Sequence, residues 1–190
     1  MLNKKYFQGV REDLLAYAEK RREVIKQAGD AQHLAKRAIF ALQRDNQHEA
    51  EESLTKAESM LKELAKKFAK DVRIFDEGSF KAALEEYSEA TLFKQFLDGK
   101  DLGEIKAFKL DSDAYISGLC DVPGEILRYA IKAATERDFI TVKRCYAVSE
   151  AIISELVDMD LTGYNRQKFD QAKQALHKLQ QVVYEVSLKA

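Results

Sequence analysis

Acidic residues in two separate stretches carry the strongest hint of chemistry. In GSFKAALEEYSEATLFKQFL (78–97) an advance of ~100° per residue sets Phe93 and Leu97 on either side of Glu86, with Ala90 close by, so Glu86 falls inside an apolar stripe. Glu89 follows three residues later at the border of the same sector and can reach the same point in space, whereas Glu85 turns away and is expected to be solvated. In YISGLCDVPGEILRYAI (115–131), Leu119, Val122, Ile126 and Tyr129 define a packed side, and Asp121 and Glu125 lie together at its margin beside Gly118. A buried carboxylate without a partner costs several kcal/mol or takes up a proton, so a sheltered group of them calls for cationic company. Hard oxygen donors with no histidine at ligand spacing fit Mg²⁺, or Mn²⁺, better than Zn²⁺. Because Mg²⁺ keeps water and is completed by substrate phosphate, the pattern favours phosphate chemistry. EExxE and DxxxE pairs also occur on solvated helices, so a structural reading stays open. A di-iron carboxylate bundle would need Glu-x-x-His pairs, and none of His33, His48 and His177 has a Glu three residues before it.

Helices must position these groups. The chain is rich in Ala, Leu, Glu, Lys and Gln and poor in turn formers, with Gly at 8 and Pro at 1 in 190 residues, which predicts an all-α, single-domain protein. Leu14, Leu15, Ala18, Ile25, Ala28, Leu34, Ala35, Ala38, Ile39 and Leu42 recur at helical spacing and predict one long helix over about 3–45, with a bend at Gly29. A second helix is expected over about 47–70, with Lys66, Lys67 and Lys70 in its last turn, and a third from an N-cap at Ser79 to Leu97. Residues 98–110 read as a surface loop with one turn of helix. Three more helices follow, near 111–135, 138–158 and from 163 almost to the end. The whole is expected to be a bundle of about six to seven long antiparallel helices. Phe169, Ala172, Leu176, Leu179, Val183 and Val186 form a packing seam on the last helix, within one bundle or between subunits.

Pro123 and Gly124 interrupt the acidic segment. A proline there removes a helix hydrogen bond, so a local kink could turn Asp121 toward Glu86, and Gly124 is expected to admit a neighbouring helix.

On the first helix Lys26, His33, Arg37 and Arg44 project within ~40° of one another and form a basic line that a phosphate backbone would match. A solvated face paired with nearby acids explains the same charges. The net charge of -1 gives the whole chain no preference for nucleic acid. Cys120 and Cys145 show no metal-ligand spacing and point to a reducing compartment, the cytoplasm. No secretory leader is recognisable, and no window approaches the ~18 apolar residues of a membrane span.

Three blocks in order resemble the translin superfamily: KRREVIKQAGDAQHLAKRAIFALQR (20–44), YISGLCDVPGEILRYAI (115–131) and NRQKFDQAKQALHKLQQVVYEVSL (165–188). The resemblance covers most of residues 20–188 and is weak over 46–78 and 98–110. Within the superfamily, Leu84, Glu86, Glu89 and Ala90, together with Asp121 and Glu125, resemble the pattern of translin-associated factor X, which translin lacks. That resemblance implies a Mg²⁺-dependent endoribonuclease cleaving single-stranded RNA inside a closed homo-oligomeric, octamer-like shell. It makes Glu86, Glu89 and Asp121 metal ligands, with Glu125 beside them as a further catalytic and metal-site carboxylate, and the basic line of the first helix would hold the strand. Translin itself implies the alternative, a non-catalytic oligomer that binds single-stranded RNA or DNA. The chain departs from the family pattern at Pro123 and at TERD (135–138), which supports no nucleotide-binding claim.

Overall fold

A computed structural model describes residues 1–69, 71–107 and 110–188. Among them are seven helices and no strand, in the order α1 (Lys4–Gln43), α2 (Gln47–Lys67), α3 (Val72–Phe75), α4 (Gly78–Leu97), α5 (Ser112–Thr135), α6 (Phe139–Val157) and α7 (Gly163–Ser187). Side-chain oxygens set several of the starts. Asn3 accepts from the Tyr6 N–H, Asn46 from Glu49, Asp111 from Ala114 and Asp138 from Thr141, each satisfying a donor that the first helical turn leaves open.

The expected cap of α4 is different. Its N-cap is Glu77 rather than Ser79, whose hydroxyl is buried without a partner among the described residues. The Glu77 carbonyl accepts from Phe80 and Lys81, while its carboxylate is drawn away by the Tyr17 hydroxyl and Arg21. α2 stops at Lys67, so Lys66 and Lys67 occupy its last turn; Lys70 lies outside the described residues. The short α3 follows in a stretch where no helix was expected. Between α4 and α5 the described residues hold no helical turn, yet Ile105 is buried against the core.

α1 packs on both α2 and α4, α4 on α5, and α5 on both α6 and α7. Val24, Ala28, Ala31, Ala35 and Ala38 are fully buried in α1, small side chains that let its two neighbours come close. The helix is continuous through Gly29. Its N-terminal part runs beyond the core: Leu14, Leu15 and Ile25, expected in the apolar stripe, are exposed. α4 is covered from both sides, so Leu84, Tyr87, Ser88, Ala90, Leu92, Phe93 and Phe96 are all buried around its circumference. The seam on α7 closes within the chain, where Phe169, Ala172 and Leu179 join the same core as α1 and α4. Among the described residues no helix is long and apolar enough to cross a membrane.

Candidate functional site

The acidic residues meet where α4 is pressed against α5. A Cβ added at Gly118 would lie 2.6 Å from the Ser88 Cβ, 2.7 Å from the Glu85 carbonyl oxygen and 2.8 Å from the Glu89 nitrogen. Only a glycine permits that approach, which sets Asp121, one turn further along α5, against the Glu85–Glu89 segment of α4. The expectation for Gly124 is corrected by the same measure: an added Cβ there meets nothing within 4 Å. α5 runs through the buried Pro123.

Glu89 is the most sheltered of the group, 8% exposed, and its carboxylate has no hydrogen-bond or ion-pair partner among the described residues. Burial, and then the charges of Asp121, Glu86 and Glu125, push its carboxyl up to about 9. Glu86, expected to be the inner residue, is less covered, because α5 closes over the Glu89 side of α4 while Glu86 faces the rim beside α1. Its carboxyl is raised chiefly by burial, against the pull of Lys36, whose Nζ lies 3.6 Å away, and a hydrogen bond from Gln32. Burial raises Asp121 to about 7, helped by Glu86 and Glu125. Glu125 is held from two sides: Gln43 Nε2 donates to its Oε2 at 2.8 Å and its carbonyl at 2.9 Å, and Arg128 Nη1 donates to the carboxylate at 2.9 Å. Asp121, Glu86 and Glu125 all act on Glu89, and Glu86 and Glu125 on Asp121, so the four predicted positions share one electrostatic neighbourhood.

One expectation fails here, and a residue that was not singled out appears. Glu85 is not solvated: its Oε1 accepts from Lys168 Nζ and, at 3.1 Å, from the Tyr164 hydroxyl. Lys168, 8% exposed on α7, also ion-pairs with Asp121. Burial pushes the Lys168 ammonium down to about 8. Lys168 had a signal in the sequence, standing four residues before Ala172 and eleven before Leu179, on the buried face of α7.

The basic line of α1 lies elsewhere. Lys26, His33, Arg37 and Arg44 are exposed, and Arg37 pairs with Glu49 of α2 at 3.0 Å. The face that α1 turns to the acids is one residue round the helix, at Gln32, Lys36 and Gln43. Beside them the exposed Phe40 ring lies 5.4 Å from the Arg128 guanidinium.

Glu85, Glu86, Glu89, Asp121 and Glu125 thus face Lys36, Arg128 and Lys168, a balance that leaves two negative charges uncompensated when every group is ionised. Among the described residues no three His, Cys, Asp or Glu side chains are gathered to hold a metal ion as they stand. Mg²⁺ does not require such a cage, since one or two carboxylates with water and phosphate suffice. An oxygen-only donor set, a sheltered Glu89 carboxylate without a partner among the described residues and, with every group ionised, a deficit of two positive charges fit a hard divalent cation.

The architecture defines an all-α bundle with an acidic cluster buried at the contact of its central helices. The chain belongs to the Translin family, whose family model matches residues 19–190. Apo-NeC3PO has the same fold in its crystal structure, with a TM-score of 0.85 at 19% identity, covering 98% of each chain. AfC3PO gives a TM-score of 0.88 at 23% identity, over 97% of this chain and 98% of that one. The complex of AfC3PO with duplex RNA gives 0.86 at 22% identity, over 97% of each chain. A search of functionally curated proteins finds no match.

Proposed function

We propose that this chain is a metal-dependent endoribonuclease of the translin-associated factor X kind, cleaving single-stranded RNA within a homo-oligomeric, octamer-like shell in the cytoplasm. The observation that carries the reading is the sheltered carboxylate of Glu89, without a partner among the described residues, set among Asp121, Glu86 and Glu125. Glu86, Glu89 and Asp121 would hold Mg²⁺, with Mn²⁺ as an alternative and Glu125 at the edge of the set. Bound there, the ion would supply charge stabilisation at the phosphoryl oxygen and a water of lowered pKa. Glu125, oriented by Gln43 and Arg128, would accept the proton of the attacking water. Lys36 and Arg128 sit at the rim of the cluster and would meet the phosphates flanking the scissile bond, and Lys26, His33, Arg37 and Arg44 would guide the strand along α1. The duplex RNA bound to AfC3PO supports RNA as the ligand class.

A non-catalytic oligomer binding single-stranded RNA or DNA is the second reading. The ion pairs of Lys36, Lys168 and Arg128 favour it, because they neutralise part of the cluster from within. Incubating the protein with labelled single-stranded and duplex RNA, in Mg²⁺ and in chelator, separates the two. The expected result is Mg²⁺-dependent cleavage of the single strand, reduced about a hundredfold or more in Glu86→Ala and Asp121→Ala proteins that remain folded and assembled. Binding without cleavage by the parent protein, or cleavage undiminished in both variants, removes the nuclease reading.

A further inference from the structure

We infer that Lys168 is the acidic cluster's built-in counter-ion and competes with a divalent cation for Asp121, so that the metal is gained only as the ammonium withdraws. The inference rests on the reading of Glu86, Glu89 and Asp121 as a cation site. Lys168 reaches in from α7, 8% exposed, and ties Glu85 of α4 to Asp121 of α5. An ammonium and a divalent ion on one sheltered carboxylate repel each other strongly, so each weakens the other's hold. The side chain also has a second berth. Glu85 is not among the residues read as ligands, and the Tyr164 ring, whose hydroxyl donates to Glu85, has its centroid 5.3 Å from the Lys168 Nζ. A flexible four-carbon stem can therefore leave Asp121 and keep a carboxylate and an aromatic face as partners. Two ligands that exclude each other in this way carry a negative coupling, and by reciprocity the ammonium must lower metal affinity as much as the metal loosens the ammonium.

The test is direct Mn²⁺ binding, followed by calorimetry and by the paramagnetic signal of the free ion, on the full chain without RNA. Lys168→Met should bind Mn²⁺ about tenfold more tightly than the parent protein, within the range typical of such couplings. Lys168→Arg, which keeps the charge, should bind no more tightly than the parent. A second measurement needs no variant: amine-selective acylation read by mass spectrometry should label Lys168 severalfold faster in saturating Mn²⁺ than in chelator, with the exposed Lys26 as the unchanging control. Equal Mn²⁺ affinity in the parent and Lys168→Met, or labelling of Lys168 indifferent to Mn²⁺, overturns the inference and leaves the cation site standing. If neither protein binds Mn²⁺, the cation site and the competition fall together.

Discussion

Glu89 shows how one side chain can link stability to the state of the site. Its folded carboxyl is raised to about 9 from an ordinary value of 4.5. Below about pH 4 both the folded and the unfolded chain hold the proton, and burial adds no titration cost. As the pH climbs from 4.5 toward 9 the unfolded chain releases a proton that the folded protein keeps, so this residue makes stability fall with rising pH. Glu89→Gln removes that dependence. In chelator the variant should match the parent near pH 4 and exceed it at pH 8 by roughly 1–3 kcal/mol, read from urea unfolding. No gain at pH 8 in chelator would refute the raised carboxyl of Glu89. The sequence pointed to Glu86 and Glu89 as a sheltered pair but ranked them in reverse, because helical periodicity marks the apolar face of α4 and not the second helix that covers its other side. Glu85 was misplaced for the same reason: its partner, Lys168, lies 83 residues away on α7.

At the scale of elements, the site exists because the backbones of α4 and α5 come together at Gly118. Any Cβ there would meet the Glu85 carbonyl and the Glu89 amide as well as Ser88, and backbone in the middle of a packed helix cannot swing aside. Gly118→Val should therefore destabilise the protein by about 3 kcal/mol or more, toward the upper end of overpacking costs, whereas Gly124→Ala should be neutral or slightly stabilising through helix propensity. Thermal unfolding of the two variants checks the contrast; comparable losses at both positions would refute the assignment of the close approach to Gly118. Most helix ranges were legible, because long proline-free segments with three-and-four spacing leave little alternative and Asn, Asp and Gly mark their ends. The short α3 and the cap of α4 were not, since four residues carry no periodicity and Glu77 is recruited by Tyr17 and Arg21 from α1. Which glycine sits at the helix contact is a matter of register between two helices, and one helix's sequence does not contain it.

Across the whole molecule, charge is separated by face while the total stays at -1. The carboxylates are enclosed between α4 and α5, and Lys26 and His33 on α1 and Arg44 at its C-terminal cap stand exposed with no carboxylate within 4.0 Å among the described residues. Attraction for a polyanion must then come from this local stripe and fade beyond a Debye length of about 8 Å at physiological salt. Arg37 is partly spent on Glu49, an exposed pair that contributes little to folding and can be exchanged for phosphate at small cost. Replacing Lys26, Arg37 and Arg44 together by Ala should weaken binding of single-stranded RNA to a similar extent for all sequences. It should also make the fall of log K with log salt shallower by about 2, since each single-strand phosphate contact contributes about 0.7 to the slope. Lys36→Ala with Arg128→Ala should leave most of that slope in place and act on turnover, because those two cations border the acidic cluster and lie off the line. Titrations of a fluorescent RNA at several salt concentrations read both effects. A slope unchanged in the triple variant but shallower in the double would move the strand one residue round α1, onto the face that already touches Glu86 and Glu125.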